Sequence, residues 1–179
     1  MTMVCRRSST SIPAGRSRRA GGFTAVEVLI VVLILGIIAV LAMPMLAETD
    51  ATRLAAAARL LVADLGFAQV ESIAHADDPC IVVFDQVNGS YKITRSSDTA
   101  TAITNPADNR PYVTQFGTGR AAELAGVTIQ GYSLDGDNEL GFGIYGQLDQ
   151  TTPATITLQA GTSTLTVQVD PADGEASVN

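Results

Sequence analysis

The sequence has no tryptophan, one histidine and two cysteines, and aromatic residues make up 5% of it. So few aromatics leave little surface on which unstacked bases could sit, which argues against a single-stranded nucleic-acid platform. The one histidine, His75, has no serine or cysteine beside it in a nucleophile motif, and it reads as a partner for the last carbonyls of a helix. No nucleophile elbow and no cluster with metal-ligand spacing is present in the sequence. Cys80 lies in the apolar run CIVVF and reads as a small core side chain, while Cys5 lies in an arginine-rich N-terminus. If that N-terminus is removed, Cys80 has no intrachain partner and the fold must stand without a disulfide. Basic residues are also scarce: after residue 22, six face eighteen acids, a charge of about −12. Such a chain repels phosphates and anionic lipid. A DNA-binding face would have to gather Lys92, Arg95, Arg110 and Arg120 on one side.

What the sequence does have is one long apolar stretch, RRAGGFTAVEVLIVVLILGIIAVLAMPML, from Arg18 to Leu46. From Phe23 to Leu46 it runs for 24 residues, with Thr24 and Glu27 as the only polar side chains. As a helix that length is about 36 Å, enough to cross a hydrocarbon core of about 30 Å. Gly21 and Gly22 precede the run, and no small-residue cleavage site follows it, unlike a secretory signal. A cut after Gly22 would leave about 157 residues with the helix attached. Arg6, Arg7, Arg16, Arg18 and Arg19 precede the cut without a single acid. A positive flank stays cytoplasmic, so the remainder of the chain points outward.

Glu27 is costly in this position. A charge within a membrane helix costs roughly 2.5–3.5 kcal/mol on insertion scales. Its bland reading is an interfacial glutamate that snorkels. Its functional reading is a charge partner, because a cut after Gly22 creates a cationic α-amine on Phe23.

The arginine-rich leader, Gly22, Phe23, Glu27 and the apolar helix together resemble the processing signature of type IV pilins and type II secretion pseudopilins. The resemblance implies cleavage after Gly22 by a prepilin peptidase and N-methylation of Phe23. It also implies pairing of Glu27 with the Phe23 amine of the same or a neighbouring subunit during assembly. Pro44 removes a backbone donor and clashes with the carbonyl of Val40, so a helix kink is expected there. The family has a proline at the same distance from the cut.

Beyond Leu46 polarity changes but the helical period continues through Leu54, Ala58, Leu61, Leu65, Ala68 and Ser72, with Ala57 and Ile73 beside them. Arg53, Arg59, Asp64, Gln69 and Glu71 fall largely off that stripe. The rest reads as β: strands at 80–85, 89–95, 112–116, 127–132, 140–145, 154–159 and 165–169, a loop at 96–110, and a short tail from 175. The expected fold is α+β, a long N-terminal helix packed on an antiparallel β-sheet head. Its segments are a leader at 1–22, a transmembrane and assembly helix at 23–46, and a globular domain at 47–179. That domain holds an amphipathic helix at 47–75 and a β-rich part at 80–179. The stretch RLLVADLGFAQVESIAHADDPCIVVFD looks like the second half of the long helix and first strand of the GspH/FimT group of minor pseudopilins and minor pilins. LGFGIYGQL, ITLQ and LTVQVDPADGE resemble that group's terminal strands.

Two motifs invite other readings. Residues 141–146 fit G-x-G-x-x-G, but no helix start follows to meet a pyrophosphate, so they read as glycines at a strand bend. Asp135, Asp137 and Glu139 form the one calcium candidate, though a solvated turn accounts for them and no EF-hand loop is present. The sequence therefore points to a structural subunit, without a cofactor and not an enzyme. Its expected role is a minor pseudopilin of a type II secretion system, with a minor type IV pilin for pilus biogenesis, adhesion or DNA uptake as the alternative. A tethered enzyme would show a convergent polar constellation. Expected partners are other pseudopilins or pilins, the prepilin peptidase, the inner-membrane assembly platform and the membrane, but not nucleic acid. The expected location is the bacterial inner membrane, single-pass, with the head in the periplasm.

Overall fold

The computed structural model describes the backbone from Thr24 to Asn179 and the side chains of residues 24–39 and 50–179. Gly22, Phe23 and the side chain of Pro44, with the kink expected of it, lie outside the described residues. The chain forms two compact units that part between Val40 and Leu41. Among the described residues no helix is long and apolar enough to cross a membrane; of the span predicted for 23–46, only the side chains of 24–39 are described.

A single helix, α1 (Ala25–Ala74), contributes to both units. Thr24 begins it as an N-cap, its Oγ1 accepting from the Glu27 N–H at 3.2 Å. In the first unit the large apolar side chains from Val26 to Ile38 are all exposed. In the second unit α1 buries the predicted stripe: Leu54, Ala57, Ala58, Leu61, Leu65, Ala68 and Ser72. Three of these are alanines, so the helix axis lies close to the strands it covers. Ile73, expected beside the stripe, is half exposed, and Asp64, expected off it, is 3% exposed.

Nine strands follow in two antiparallel sheets. In the first, β1 (Cys80–Asp85) pairs with β2 (Ser90–Arg95) in a hairpin, Cys80 opposite Arg95 and Asp85 opposite Ser90. The outer side of β2 is shared by β3 (Asp98–Ala102) and β4 (Val113–Gln115). On its other side β1 pairs with β6 (Glu139–Gly141). The second sheet has the order β5 (Val127–Ser133), β7 (Ala154–Ala160), β8 (Ser163–Val169), β9 (Ala176–Val178). A short 3-10 helix, Gly119–Leu124, links β4 to β5. The core joins α1 to both sheets through Val82, Phe84, Tyr91, Ile93, Ile129, Ile156, Leu158, Val167 and Val169. Every one of these core residues belongs to the second unit.

Three features depart from the expectation. The stretch read as a loop at 96–110 contains β3, whose side chains are mostly exposed and so carry no alternation to read. The tail contains β9, which closes the edge of the second sheet. The strand read at 140–145 stops at Gly141 because the chain turns: Gly143 N–H donates to Gln147 O at 2.7 Å and Gly146 N–H to Gly143 O at 2.9 Å.

The C-terminal turn is tied to this bend. Gly174 has φ +70°, and a Cβ there would lie 2.1 Å from Gly146 O. Gly66, on α1, has open space around it. Gly174→Ala should therefore lower stability by about 1–3 kcal/mol, whereas Gly66→Ala should raise it by up to about 1 kcal/mol through helix propensity. Thermal denaturation of the two variants side by side checks the contrast, and equal midpoints would contradict it.

Candidate functional site

At the N-terminal end, the described first turn of α1 places Glu27 on an exposed surface with Val28, Val31 and Val32 around it. An acid in the first turn also favours the helix itself, since its charge meets the positive end of the dipole. This contribution was legible in Thr24-Ala-Val-Glu27, a capping-box spacing, and the assembly reading passed over it. Whether Glu27 meets an amine on Phe23 is outside the described residues.

The most connected polar group among the described residues is Asp64, on the middle of the packed helix. Its carboxylate accepts from Tyr91 Oη at 2.6 Å, Tyr112 Oη at 2.9 Å and Thr114 Oγ1 at 3.2 Å. Arg120 Nη2 donates to the same group and completes an ion pair. The donors come from β2, the segment before β4, β4 itself and the 3-10 helix, so one helical side chain binds four separate segments. Phe67 stacks on Tyr112 at 5.0 Å, and the Arg120 guanidinium lies over the Tyr112 ring at 4.9 Å from its centroid. Burial, and then the Asp64 charge, hold the Tyr91 hydroxyl well above the ordinary phenol range, so it remains a donor. Tyr112 is raised too, first by burial. For Arg120 burial opposes the charge, but Tyr112 and Asp64 outweigh it and raise the pKa.

Two further ties fix the end of α1. Glu71 Oε1 accepts from Arg95 Nη2 at 2.5 Å, and Arg95 Nη1 donates to Asp78 O at 3.1 Å. His75 Nδ1 lies 3.1 Å from Glu71 Oε1 and 3.2 Å from Glu71 O, the helix-end role expected for it. Ser72 Oγ donates to Ala68 O and accepts the Cys80 N–H at 2.8 Å, which starts β1. Asp78 accepts from Ser96 and Ser97, and the Ser97 bonds hold its carboxyl below the ordinary value. Gln69 Nε2 donates to Gly146 O at 2.9 Å and Asp173 O at 2.5 Å, joining the glycine bend and the C-terminal turn to α1. Cys80 is buried and its thiol is raised by burial.

The remaining sequence candidates are placed as follows. The G-x-G-x-x-G segment makes the tight bend described above and leads into no helix. A Cβ on Gly141 would meet Asp149 Oδ2 at 2.3 Å, and one on Gly143 would meet Gln147 Nε2 at 2.4 Å, so these glycines serve close packing. Asp135 and Asp137 lie in the turn before β6, where Asp137 Oδ1 accepts the Glu139 N–H at 2.9 Å. Among the described residues no group of three or more His, Cys, Asp or Glu is placed to hold a metal ion. Of the four cations, Arg95 is paired with Glu71, Arg120 with Asp64, and Lys92 Nζ donates to Ala100 O at 2.7 Å.

A long helix fastened across antiparallel sheets by its C-terminal half is the type IV pilin-like fold, and this chain has it. Among solved structures it is similar to the type IV minor pilin FimU of Pseudomonas aeruginosa, with a TM-score of 0.52 and 17% identity over 74% of this chain and 92% of that one. A second crystal form of FimU gives 0.49 and 15%, over 70% and 92%. No protein-family model and no curated protein matches the sequence.

Removing the Asp64 carboxylate would leave a buried Tyr91 hydroxyl and the Arg120 charge without their acceptor. Asp64→Ala should cost about 3–5 kcal/mol, the usual range for one partner of a buried pair. The partial exposure of Arg120 places the value towards the lower end. Chemical denaturation of residues 47–179 measures this; a loss under about 1 kcal/mol would show that the cluster is not a fastener.

Proposed function

We propose that the chain is a minor subunit of a pilin-class filament, made as a prepilin, cut after Gly22 and methylated on Phe23. The observation that carries the reading is the contrast along α1. Its second half is fastened to a head through Asp64, while the large apolar side chains of its described first half are bare. Bare apolar residues at this density need lipid or other helices around them. Glu27, in the first turn, then has the Phe23 amine as its charge partner, in its own subunit or in a neighbour. The head faces the periplasm, and the helix is held in the bacterial inner membrane until a peptidase and an assembly platform pass it into the filament.

A type II secretion pseudopilus is the filament we favour, because the head has no intrachain disulfide to close a C-terminal loop and carries an acidic tail from Asp170 to Asn179. The second reading, a minor type IV pilin, is supported by the likeness to FimU.

Mass spectrometry of the N-terminus tests the processing: the mature chain should begin at a methylated Phe23. Gly22→Glu should leave the chain uncut, and a mature chain beginning elsewhere would end this reading. Glu27→Ala should insert and be cut but should lose crosslinking to partner subunits. Wild-type crosslinking would remove Glu27 from the assembly role.

The two filament readings part at DNA. Arg95 and Arg120 are spent on internal carboxylates, and a phosphate contact needs a free cation. Residues 47–179 should show no duplex binding at physiological salt in fluorescence anisotropy. Micromolar binding that weakens steeply with salt would instead favour DNA uptake.

A further inference from the structure

The last strand of the second sheet, β9, pairs on one side only, with β8; among the described residues no strand pairs with its other side. Asn179 N–H donates to Thr166 O at 2.9 Å, Thr166 N–H to Asn179 O at 3.3 Å, and Asp170 N–H to Glu175 O at 3.0 Å. In an antiparallel ladder such bonded pairs alternate with unbonded ones. The Glu175 carbonyl, Ser177 and Asn179 therefore face β8, while Ala176 and Val178 turn their N–H and C=O to the open edge. Edges elsewhere are partly taken: Gln86 Nε2 donates to Gln130 O on β5 at 2.5 Å, and Asp149 N–H to Gly141 O on β6 at 3.1 Å.

A groove of about 390 Å³ runs beside this edge. Val62, Gly66 and Gln69 of α1 form one wall, and Asp173, Glu175 and Ala176 the other. Ala176 and Val178 stand opposite Val169 and Val167, so they share the face that the sheet turns to the core. Val178 is nonetheless 44% exposed. A strand laid against β9 would place alternate side chains on that face, beside Val178 and towards Gly66, which has open space around it. Its remaining side chains would lie on the outer face, with Glu175 and Ser177.

Charge identifies the occupant. Asp173 and Glu175 belong to no ion pair among the described residues, and the tail from Asp170 carries three acids and no base. A second copy paired edge to edge would bring the same acids together, and like charges in register oppose pairing. Among the described residues the one strand with two cations is β2, with Lys92 and Arg95, and β1, β3 and β4 already flank it. We propose that the β9 edge binds an extended segment of a different protein, antiparallel to β9, with apolar side chains turned to α1 and lysines or arginines turned to Asp173 and Glu175. In this mode main-chain bonds supply the affinity and alternate side chains the selectivity. The site lies on the head alone and does not depend on how the N-terminus is processed.

The test uses the full chain in a nonionic detergent and the capped, fluorescent peptide Gly-Lys-Val-Arg-Val-Lys-Gly. Anisotropy should report saturable binding. In the antiparallel register the valines stand opposite Ala176 and Val178, and their N–H groups point at β9. N-methylation of both valines should weaken binding at least about tenfold, while N-methylation of both lysines, whose N–H groups point to solvent, should leave it within about twofold. Ala176→Pro removes an edge donor and spares the ladder with β8. It should weaken binding at least about fivefold with Tm unchanged. Asp173→Lys with Glu175→Lys should weaken this peptide at least about tenfold and bind Gly-Glu-Val-Glu-Val-Glu-Gly in its place. No saturable binding, equal losses from the two N-methylated peptides, or a charge-reversed chain that still prefers the basic peptide would overturn the site. So would a chain with Cys5→Ser and Val178→Cys that oxidises to a dimer in the same detergent, which would give the edge to a second copy.

Discussion

The head depends on a carboxylate buried on the helix that covers it. Apolar burial holds α1 against the sheets, but it is non-directional and by itself says little about register. Asp64 removes that freedom. Its oxygens have partners only where Tyr91, Tyr112, Thr114 and Arg120 converge, and a slip of one turn would bury an unpaired charge. The cluster is a poor source of net stability and a strong source of specificity. It also ties the 3-10 helix and the short strand β4 to the core, although each carries few large side chains of its own.

The sequence made the helix and most of the strands legible, and physical reasons separate these from what it hid. The stripe from Leu54 to Ser72 was readable because helical period and burial coincide there. β1 and β7 were readable because their burial alternates strictly. β3 and β9 were not, because edge strands with exposed side chains are fixed by backbone pairing alone. Asp64 was read as a surface residue because a hydropathy pattern counts every acid as solvent-facing. Its donors lie 27 to 56 positions away in sequence, a separation that no local pattern reports. One clue was present: Leu61, Asp64, Leu65 and Ala68 share a helical face. The glycine bend was half legible: its glycines were assigned to a strand bend, but the partners that require them, Gln147, Asp149 and Gln69, were not readable.

The charge pattern has a structural cause. The head is strongly acidic, yet two of its few arginines are directed inward to carboxylates of α1, Arg95 to Glu71 and Arg120 to Asp64. Both bridges join the helix to the β-rich part. Asp64 is buried, so its charge would be costly without Arg120, and Glu71 is largely covered as well. Cations spent there are unavailable at the surface, and the outer field is left to the acids of the turns. Several of those acids are in use as well. Asp78, Asp85 and Asp98 each accept hydrogen bonds from their own or a neighbouring loop, and those bonds lower all three carboxyls. The negative surface is therefore a by-product of how the turns are built, as much as a signal to a partner.

That by-product constrains assembly. Subunits of like charge repel over about 8–10 Å at physiological ionic strength. Close packing thus requires each contact to be apolar or to set a cation opposite the acids. The exposed part of α1 meets both requirements along one stripe, where Val70 and Ile73 are apolar and Arg59 is a cation without an internal partner. Acidic turns such as Asp135–Asp137 would oppose a like neighbour. Repulsion between such turns selects orientation as effectively as attraction does.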